Sequence, residues 1–376
     1  TDSDTWLDIT CGGTDCNDTN SSIYPGAPEP CCDSVDNDCD GDPIEGPADN
    51  DNDNYMDVAC SGGNDCNDTN ASINPGAAEV CLDWIDEDCD GKADSITAMW
   101  TSDLQVTSAS AQQYYTDMAY APTRSRYGIV YNDQRDTYSQ IYFSLVSAGG
   151  TKMYSDLKLT TATSSVSFSN PKITWTGSEY GVVWSDDDKG YNIMLSRVAY
   201  NNVVVGTYVV STSTYYKEDV AVDYSSAGGY GIAWTDYRPG IMSVWFARMS
   251  STGSKLGTDI RVDTGSVGVE WPAIAWGGSQ WGIAWVDGRS GWDVWFARLS
   301  TTGTKYGTDV RISTNGTGAY YPDLVYTGTE FAVVYADDPA GNYEVYFARI
   351  SGAGVKVSSD TRITSNTGTS WWPSIV

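Results

Sequence analysis

The sequence predicts an all-β fold: a five- to six-bladed β-propeller preceded by a loop-rich tandem-repeat arm. Three observations lead to this prediction. Residues 95–376 repeat with a period of about 50 residues, and each repeat holds four short runs of alternating apolar residues. Residues 1–94 contain a different repeat, in two copies, and hold all nine cysteines. The chain is also rich in aromatic residues that favour strands, with 26 Tyr and 15 Trp.

Charge and composition exclude several classes of function. The chain has 50 acidic and 21 basic residues, for a net charge of −29. This excess argues against nucleic acid and anionic membranes as partners, because phosphate binding needs clustered Lys and Arg. No apolar run is long enough to insert into a membrane. The absence of histidine excludes catalysis that depends on that residue.

The arm, residues 1–94, holds half of the acidic residues and only one basic residue, Lys92, so its net charge is −24. The motif Asp-Cys-Asn-Asp-Thr-Asn occurs at 15–20 and returns at 65–70. This offset predicts one repeat over 1–46 and a second over 47–94. Neither copy has enough aliphatic residues for a core that offsets chain entropy. Disulfides, metal ions or both must therefore stabilise the arm.

The spacing of the acidic residues indicates metal binding. Asp49, Asp51, Asp53 and Asp57 occupy positions 1, 3, 5 and 9 of a loop resembling that of an EF-hand, and Tyr55 offers its backbone carbonyl at position 7. Hard oxygen ligands in a flexible loop without histidine suit Ca²⁺ better than copper, zinc or Mg²⁺. The sequence therefore predicts a calcium-stabilised arm. The alternative is a solvated, disordered acidic tail.

Other candidate ligands follow from the two shorter Asp-x-Asp-x-Asp-Gly turns and from the register of the repeats. In copy one the first loop position precedes Thr1, so that site is incomplete in this sequence. The candidate metal ligands are Asp2, Asp4, Asp8, Asp15, Asp18, Asp36, Asp38, Asp40, Asp49, Asp51, Asp53, Tyr55, Asp57, Asp65, Asp68, Asp86, Asp88 and Asp90.

The cysteines predict a disulfide-bonded arm. Each copy has four equivalent cysteines, which allow three connectivities within a copy. The ninth, Cys32, has no counterpart, because Leu82 stands at its position. We expect the eight matched cysteines to be oxidised within their own copies and Cys32 to be left over. The alternative, a zinc site of four thiolates, does not suit these spacings. Oxidised cysteines predict a secreted protein, and Thr1 suggests that a signal peptide has already been removed.

Taken together, these segments resemble the metal-binding repeat of bacterial surface proteins that is named after the methanotroph copper protein MopE. The segments are Asp-Cys-Asn-Asp-Thr-Asn, Pro-Gly-Ala and Asp-x-Asp-Cys-Asp-Gly. The resemblance covers both copies, about a quarter of the chain, and implies an extracellular, metal-binding arm. Because the chain has no histidine, calcium from the ligand chemistry remains the expected ion.

The second repeat predicts the propeller. Trp-x-Asp-x-Arg followed by Phe-Ala-Arg occurs at 234–248 and 285–298, with a third, weaker copy near 335–349. The aspartates at 133, 186, 236, 287 and 337 are 53, 50, 51 and 50 residues apart. Four short strands in each such unit are typical of a β-propeller blade. The pattern resembles bacterial extracellular propellers and, by itself, implies fold rather than function.

The two ends of residues 95–376 carry parts of one more blade. An outer-strand motif lies at 103–107, and an inner-strand motif lies at 371–376. Either the ends pair to close a five-bladed ring, or an incomplete sixth blade exposes a sheet edge to another molecule.

The repeated Asp and Arg residues are interpreted as structural, because a catalytic residue is needed only once. Asp236 and Arg238 are expected to cap the turn after the second strand, and Arg248 to join neighbouring blades. The alternatives are a ring of catalytic carboxylates and, for exposed Trp292 or Trp371, stacking on sugars.

Three functions remain open from the sequence. The first is a non-enzymatic extracellular scaffold that assembles head to tail, arm onto propeller, into a filament or a cell-surface layer used in adhesion. The second is a carbohydrate-binding propeller with glycans as partners. The third is a glycoside hydrolase with carboxylates at the mouth of the propeller. The sequence favours the first.

Overall fold

The computed structural model divides the chain into two compact units, Thr1–Ser102 and Asp103–Val376. The residues it describes are 5–7, 9–27, 35–41, 49, 51–58, 62–78, 85–91, 104–162, 168–187, 190–238, 240–265, 267–314, 318–339, 341–365 and 367–376. Among these, no helix is both long and apolar enough to cross a membrane.

The second unit contains five four-stranded antiparallel sheets, as expected for propeller blades. Blade 1 comprises β1 (Gln113–Ala121), β2 (Arg126–Asp133), β3 (Gln140–Ser147) and β4 (Leu157–Lys158). Blade 2 comprises β5 (Phe168–Trp175), β6 (Glu179–Asp186), β7 (Asn192–Ala199) and β8 (Val203–Ser211). Blade 3 comprises β9 (Lys217–Ser225), β10 (Gly229–Asp236), β11 (Ser243–Met249) and β12 (Ile260–Arg261). Blade 4 comprises β13 (Val269–Trp276), β14 (Gln280–Asp287), β15 (Asp293–Ser300) and β16 (Lys305–Arg311). Blade 5 comprises β17 (Ala319–Tyr326), β18 (Glu330–Asp337), β19 (Glu344–Ser351) and β20 (Thr361–Arg362). The prediction of an all-β propeller is confirmed.

Neighbouring blades pack through an aromatic ring that lies on a glycine. A Cβ added at Gly181 of blade 2 would lie 2.2 Å from Cε1 of Tyr230 in blade 3. A Cβ at Gly231 would similarly lie 2.6 Å from Trp281 in blade 4. The same relation joins blade 1 to blade 2 and blade 4 to blade 5. Only glycine lets the next ring approach this closely, so the aromatic-glycine pair at the start of the second strand of blades 1 to 4 sets the spacing of the blades.

The two ends of this unit occupy the positions that the inner and outer strands of a sixth blade would have. Ile375 donates its backbone N–H to Asp323 of blade 5 over 3.0 Å, as Ile173 does to Asp117 of blade 1 over 2.9 Å. Five inner strands and residues 372–376 together line a central channel. The C-terminal segment is therefore the inner member of a sixth position.

The N-terminal segment of this unit takes the outer place. Lys152 of blade 1 donates to the carbonyl of Val106 over 2.6 Å. In blade 4, Lys305 donates to the carbonyl of Val262, which directly follows the outer strand of blade 3. Val106 thus stands where an outer strand of a preceding blade would end. Within the described residues, this sixth position contains no strand between its inner and outer segments.

The predicted turn cap is present at Asp236 and Arg238. Asp236 is fully buried, and its Oδ1 accepts the backbone N–H of Arg238 over 2.8 Å. The guanidinium of Arg238 also bonds Asp259 over 3.0 Å and lies 3.8 Å from the ring centroid of Trp245. Blades 1 and 4 repeat this arrangement. Each carboxylate is paired and hydrogen-bonded, which is what makes its burial tolerable.

The arginines of the Phe-Ala-Arg position join blades at two sites other than the one predicted. Arg298 of blade 4 donates to the carbonyl of Gly352 in blade 5 over 2.9 Å, and Arg197 of blade 2 donates to the carbonyl of Thr252 over 3.0 Å. At Arg248 the Nε is buried without a hydrogen-bond partner.

Because aromatic rings pack directly on these glycines, adding one methyl group at such a glycine should destabilise the propeller. Gly181→Ala should lower the free energy of unfolding of the propeller by about 1–3 kcal/mol, because the buried ring of Tyr230 has no room to move. The measurement is thermal or urea unfolding followed by the near-UV signal of the aromatic residues.

The matched control is Gly149→Ala, where the nearest atom to an added Cβ would be Ser147 Oγ at 3.9 Å. That variant should unfold within about 0.5 kcal/mol of the parent. Equal stability of the two variants would contradict the proposed role of the glycines.

Candidate metal centre

Three acidic turns in the arm share one hydrogen-bonding scheme. In the loop that starts at Asp49, its two carboxylate oxygens accept the N–H groups of Asp53 and Asn54 over 3.0 and 2.9 Å. The turns that start at Asp36 and Asp86 place the same bonds four and five residues downstream, at 2.9–3.1 Å. Their fourth and sixth residues have positive φ, which curls each backbone around its own carboxylates. In each turn, oxygen atoms of three aspartates lie within 4.8 Å of one another.

The backbone bonds leave several carboxylate oxygens without a partner in the 49–54 loop. Tyr55 donates its N–H to Asp53 Oδ1 over 2.9 Å, but Asp53 Oδ2 is buried and receives no hydrogen bond. Both oxygens of Asp51 are buried in the same way. Buried carboxylate oxygens without a donor are costly unless a cation supplies the missing interaction.

Asp65, in the repeated Asp-Cys-Asn-Asp-Thr-Asn motif of the second copy, pairs with the segment that follows this loop. Its side chain is 0% exposed, its Oδ1 accepts the N–H of Asn67 over 2.8 Å, and its Oδ2 is buried without a partner. Its backbone is fixed to the loop, since the N–H of Asp65 donates to Met56 O and its carbonyl accepts from Val58, each over 2.8 Å. Asp51, Asp53 and Asp65 thus present four unpartnered oxygens.

The charges of these groups act on one another. Burial raises the pKa of Asp51 above its usual range, and the neighbouring carboxylates of Asp53, Asp65 and Asp49 raise it further. A bound divalent cation would reverse this effect, because it stabilises the ionised form of every ligand.

In copy one, Asp15 makes the same contacts as Asp65 does in copy two. Asp15 is 0% exposed, accepts the N–H of Asn17 on Oδ1 over 2.8 Å and has a buried, unpartnered Oδ2. Its N–H donates to Leu7 O over 3.0 Å, as that of Asp65 does to Met56 O. The predicted ligands Asp2, Asp4 and Asp8, which would complete this site, lie outside the described residues.

The other predicted ligands do not all belong to a convergent group of carboxylates. The turns of Asp36, Asp38 and Asp40 and of Asp86, Asp88 and Asp90 each bring three carboxylates together. Asp18, Asp57 and Asp68 belong to no such convergent group among the described residues, and Asp57 meets Asp65 through a backbone bridge. Tyr55 lies with its hydroxyl against Gly76, where an added Cβ would be 2.3 Å away.

Two disulfides fasten the acidic turns to the aspartates of the motif. Cys16–Cys39 and Cys66–Cys89 each span 23 residues. Each bridge joins the residue after Asp15 or Asp65 to the fourth residue of an Asp-x-Asp-x-Asp-Gly turn. The bridged sulfurs are not thiolates, so the zinc alternative fails for these four cysteines.

One expectation about the cysteines was wrong. Cys11 was predicted to be oxidised, but its thiol is free and exposed. The other two described cysteines of this copy, Cys16 and Cys39, are bonded to each other. Cys31, Cys32, Cys60 and Cys81 lie outside the described residues, so the prediction that Cys32 is the odd cysteine remains a prediction.

Sequence reasoning named Asp51 and Asp65 but did not join them into one site. A signal was present in the spacing: Asp65 follows Asp57 by eight residues, and Asp15 follows Asp8 by seven. The difference of one is Ser61, an extra residue before Gly62 and Gly63. Spacing alone does not show that the two segments pair through their backbones.

Comparison with known proteins finds a metal-binding motif in the arm. Residues 15–43 and 65–95 match the copper-binding MopE family, described as a "Putative metal-binding motif". The two N-terminal copies therefore carry this motif, as the resemblance predicted. No curated protein matches the chain.

Several solved structures are similar to this chain at low identity. An endo-arabinase from Bacteroides thetaiotaomicron is 10% identical, with a TM-score of 0.41, over 71% of this chain and 100% of its own. A protein of unknown function from Dyadobacter fermentans is 9% identical, with a TM-score of 0.44, over 71% and 86%. The hemagglutinin-neuraminidase ectodomain of parainfluenza virus 5 is 9% identical, with a TM-score of 0.44, over 70% and 74%. We draw no conclusion about activity from likenesses of this strength.

The disulfide arrangement gives a direct prediction. Replacing Cys66 and Cys89 together by Ser should destabilise the second copy by about 3 kcal/mol, because the bridge closes a loop of more than 20 residues in the unfolded chain. Limited proteolysis of the full chain should then cut between residues 62 and 91, while the propeller stays resistant.

The matched control is Cys11→Ser, which removes a thiol that is exposed and unbonded. It should leave the proteolytic pattern unchanged. Mass spectrometry of unreduced peptides should find Cys66 linked to Cys89 and Cys11 open to alkylation. A linked Cys11, or a double variant as resistant as the parent, would refute this assignment.

Proposed function

We propose that this chain is an extracellular, non-enzymatic structural protein whose arm is stabilised by Ca²⁺. The observation that carries the proposal is the set of four buried, unpartnered oxygens from Asp51, Asp53 and Asp65. Three of these oxygens lie on a loop already curled by its own backbone bonds, and the fourth lies on the Asp65 segment, which is hydrogen-bonded to residues 56 and 58. Little reorganisation is therefore needed to bind an ion.

Ligand chemistry supports calcium over the alternatives. All the unpartnered atoms are carboxylate oxygens, and the backbone carbonyl of Tyr55 is a further oxygen at the predicted position. Copper and zinc prefer imidazole or thiolate, and the chain has no histidine and holds Cys66 and Cys89 in a disulfide. Mg²⁺ demands a small octahedral shell and usually retains water, whereas a loop of alternating aspartates suits the larger and more variable shell of calcium.

Disulfides support an oxidising, extracytoplasmic compartment, since such bonds are rare where thiols are kept reduced. The non-enzymatic role is supported by how the repeated carboxylates of the propeller are used. Asp133, Asp236 and Asp287 are each occupied by an arginine and a backbone N–H. They are therefore poorly placed to act as acid or base.

The ion assignment predicts a selective loss of calcium binding. In titration calorimetry of the full chain, Asp65→Asn should weaken the tightest Ca²⁺ site at least tenfold, about 1.4 kcal/mol, because one charged ligand is lost. The control Asn64→Ala changes an exposed neighbour whose contact to Met56 runs through its backbone, and it should bind as the parent does. Tighter binding of Cu²⁺ or Zn²⁺ than of Ca²⁺, or an unchanged isotherm for Asp65→Asn, would exclude the calcium site.

We also propose that the protein assembles head to tail, with the arm of one copy on the propeller of the next, as a filament or a surface layer used in adhesion. Two features support this. The sixth position exposes Trp371 and Trp372, with 37% and 71% of their surfaces in contact with solvent. The outer strand β8 is nine residues long, uncharged, and has exposed Val203, Val204, Val205 and Val209, although most outer strands here have two residues. Such edges can pair with another chain.

Assembly predicts a change of mass with calcium. Sedimentation of the full chain at high concentration should show multimers in millimolar Ca²⁺ that dissociate when a chelator is added, because the arm loses its ordered shape. A chain of residues 95–376 alone should remain a monomer. A monodisperse full-length monomer in calcium would leave the binding function as the better explanation.

A carbohydrate-binding propeller is the second candidate. The observation that favours it is the exposure of Trp292, Trp371 and Trp372, because exposed tryptophans commonly stack on sugars. Trp371 already stacks on Tyr343 with ring centroids 4.0 Å apart, so one of its faces is occupied.

A further inference from the structure

The central channel of the propeller holds an unbalanced set of charges. The channel has a volume of about 970 Å³ and is lined by the inner strands and residues 372–376. The charged side chains that line it are four carboxylates and one amine: Asp117, Asp219, Asp223, Asp323 and Lys172. This set differs from the paired Asp and Arg residues at the ends of the second strands, where each carboxylate has its own guanidinium.

Among the four channel carboxylates, Asp219 has the longest hydrogen bond to the neighbouring inner segment. Asp223 accepts the N–H groups of Trp276 and Tyr224, each over 2.7 Å. Asp117 and Asp323 also accept a backbone N–H, over 2.9 and 3.0 Å. Asp219 has a longer contact, 3.4 Å to the N–H of Trp271. Burial raises the pKa values of Asp117 and Asp223 above their usual range. Burial also raises the pKa of Asp219 to about 7, and the nearby charge of Glu218 adds to the effect. Ionised carboxylates in such a place attract a positive charge.

Aromatic rings stand at the same level of the channel as Asp219. Tyr115, Trp271, Tyr321 and Trp372 all lie at the bulge of an inner segment, with φ of 55°, 51°, 53° and 52°. Asp219 takes the equivalent place in blade 3, with φ of 49°. Trp271 and Tyr321 have ring centroids 4.4 Å apart, and Tyr321 and Trp372 have theirs 5.4 Å apart. The carboxylate of Asp219 therefore belongs to a ring of positions otherwise filled mainly by aromatic residues.

Architecture explains the bulge but not the side chains. The bulge recurs because each inner strand must bend at the channel, and register shifts mark it in every blade. The left-handed backbone is unfavourable for bulky residues by about 1–2 kcal/mol, and glycine would relieve it. Yet the five left-handed positions carry Tyr, Asp, Trp, Tyr and Trp, and Asn170 stands at the bulge of blade 2. Two of the rings, Tyr115 and Trp372, are 54% and 71% exposed, so packing does not require them.

We propose that the mouth of this channel binds a small organic cation, with its protonated amine at Asp219 and its carbon framework against Trp271, Tyr321 and Trp372. Aromatic faces attract cations and pack against C–H groups, and a carboxylate beside them supplies the charged hydrogen bond. The shared chemistry is an ammonium group on a carbon framework, which both amino sugars and polyamines carry. This site is separate from the acidic turns of the arm and does not depend on the ion bound there.

The test is titration calorimetry of the full chain in millimolar Ca²⁺, which saturates metal sites before the ligand is added. The probes are the amino-sugar oligomer chitotriose, its neutral N-acetylated counterpart, and spermidine. Both cations, or one of them, should bind at least tenfold more tightly than the neutral sugar. Binding of chitotriose alone identifies an amino sugar, and binding of spermidine alone identifies a polyamine.

Variants locate the site. Asp219→Asn should weaken binding of the cation about tenfold or more, as expected for loss of a charged hydrogen bond. Trp372→Ala removes an exposed ring and should weaken it severalfold without loss of fold. The charge control Asp136→Asn and the ring control Tyr237→Ala lie outside the channel lining and should bind as the parent does.

Three results would overturn the proposal. The first is equal binding of the neutral and cationic sugars, which would indicate a plain carbohydrate site. The second is no binding of any probe by a folded chain. The third is an equal loss in Asp136→Asn and Asp219→Asn, which would indicate attraction by net charge alone. If Asp219→Asn unfolds, the comparison of Trp372→Ala with Tyr237→Ala still decides the location.

Discussion

The contact on which the propeller depends is an aromatic ring that lies on the glycine of the preceding blade. Tyr230 on Gly181 and Trp281 on Gly231 are two instances of it. A side chain at either glycine would push the blades apart, and the ring would lose its buried partner. This contact fixes the distance between blades, and with it the width of the channel and the places of the inner segments.

Carboxylates serve this protein in three different ways, and the way each is neutralised separates structure from function. Asp236 is neutralised by Arg238, so it closes a turn. Asp49 is held by backbone N–H groups, so it shapes a loop. Asp51 and Asp65 keep oxygens that nothing in the described chain satisfies. In a chain of net charge −29, acidic residues are so common that their presence alone does not identify a metal site. The absence of a partner for a buried oxygen is the informative feature.

Repetition also carries different meanings in the two units. In the arm, repeating a motif repeats a site, because the ligands of each turn lie within a few residues of one another. In the propeller, each copy of a motif forms the same contact between neighbouring blades. A functional residue is therefore expected where the backbone conformation repeats but the side chain differs. The bulge of the inner strand is such a place: Asp219 stands there among Tyr115, Trp271, Tyr321 and Trp372.

The sequence by itself determined the all-β class, the blades of four strands, the two copies of the arm and the acidic turns. Alternation along a strand and the spacing of aspartates within a turn are local properties, so they can be read from neighbouring residues. Only the tertiary structure decided that the Asp65 segment pairs with the loop containing Asp51 and that Cys11 is left without a disulfide. It also decided that the two ends of the second unit take a sixth position and that Asp219 lies among aromatic rings. Each of these depends on segments far apart in sequence meeting in space, and no local pattern fixes such a meeting. It is set by the packing of whole blades and by the backbone bonds that join the two halves of a repeat.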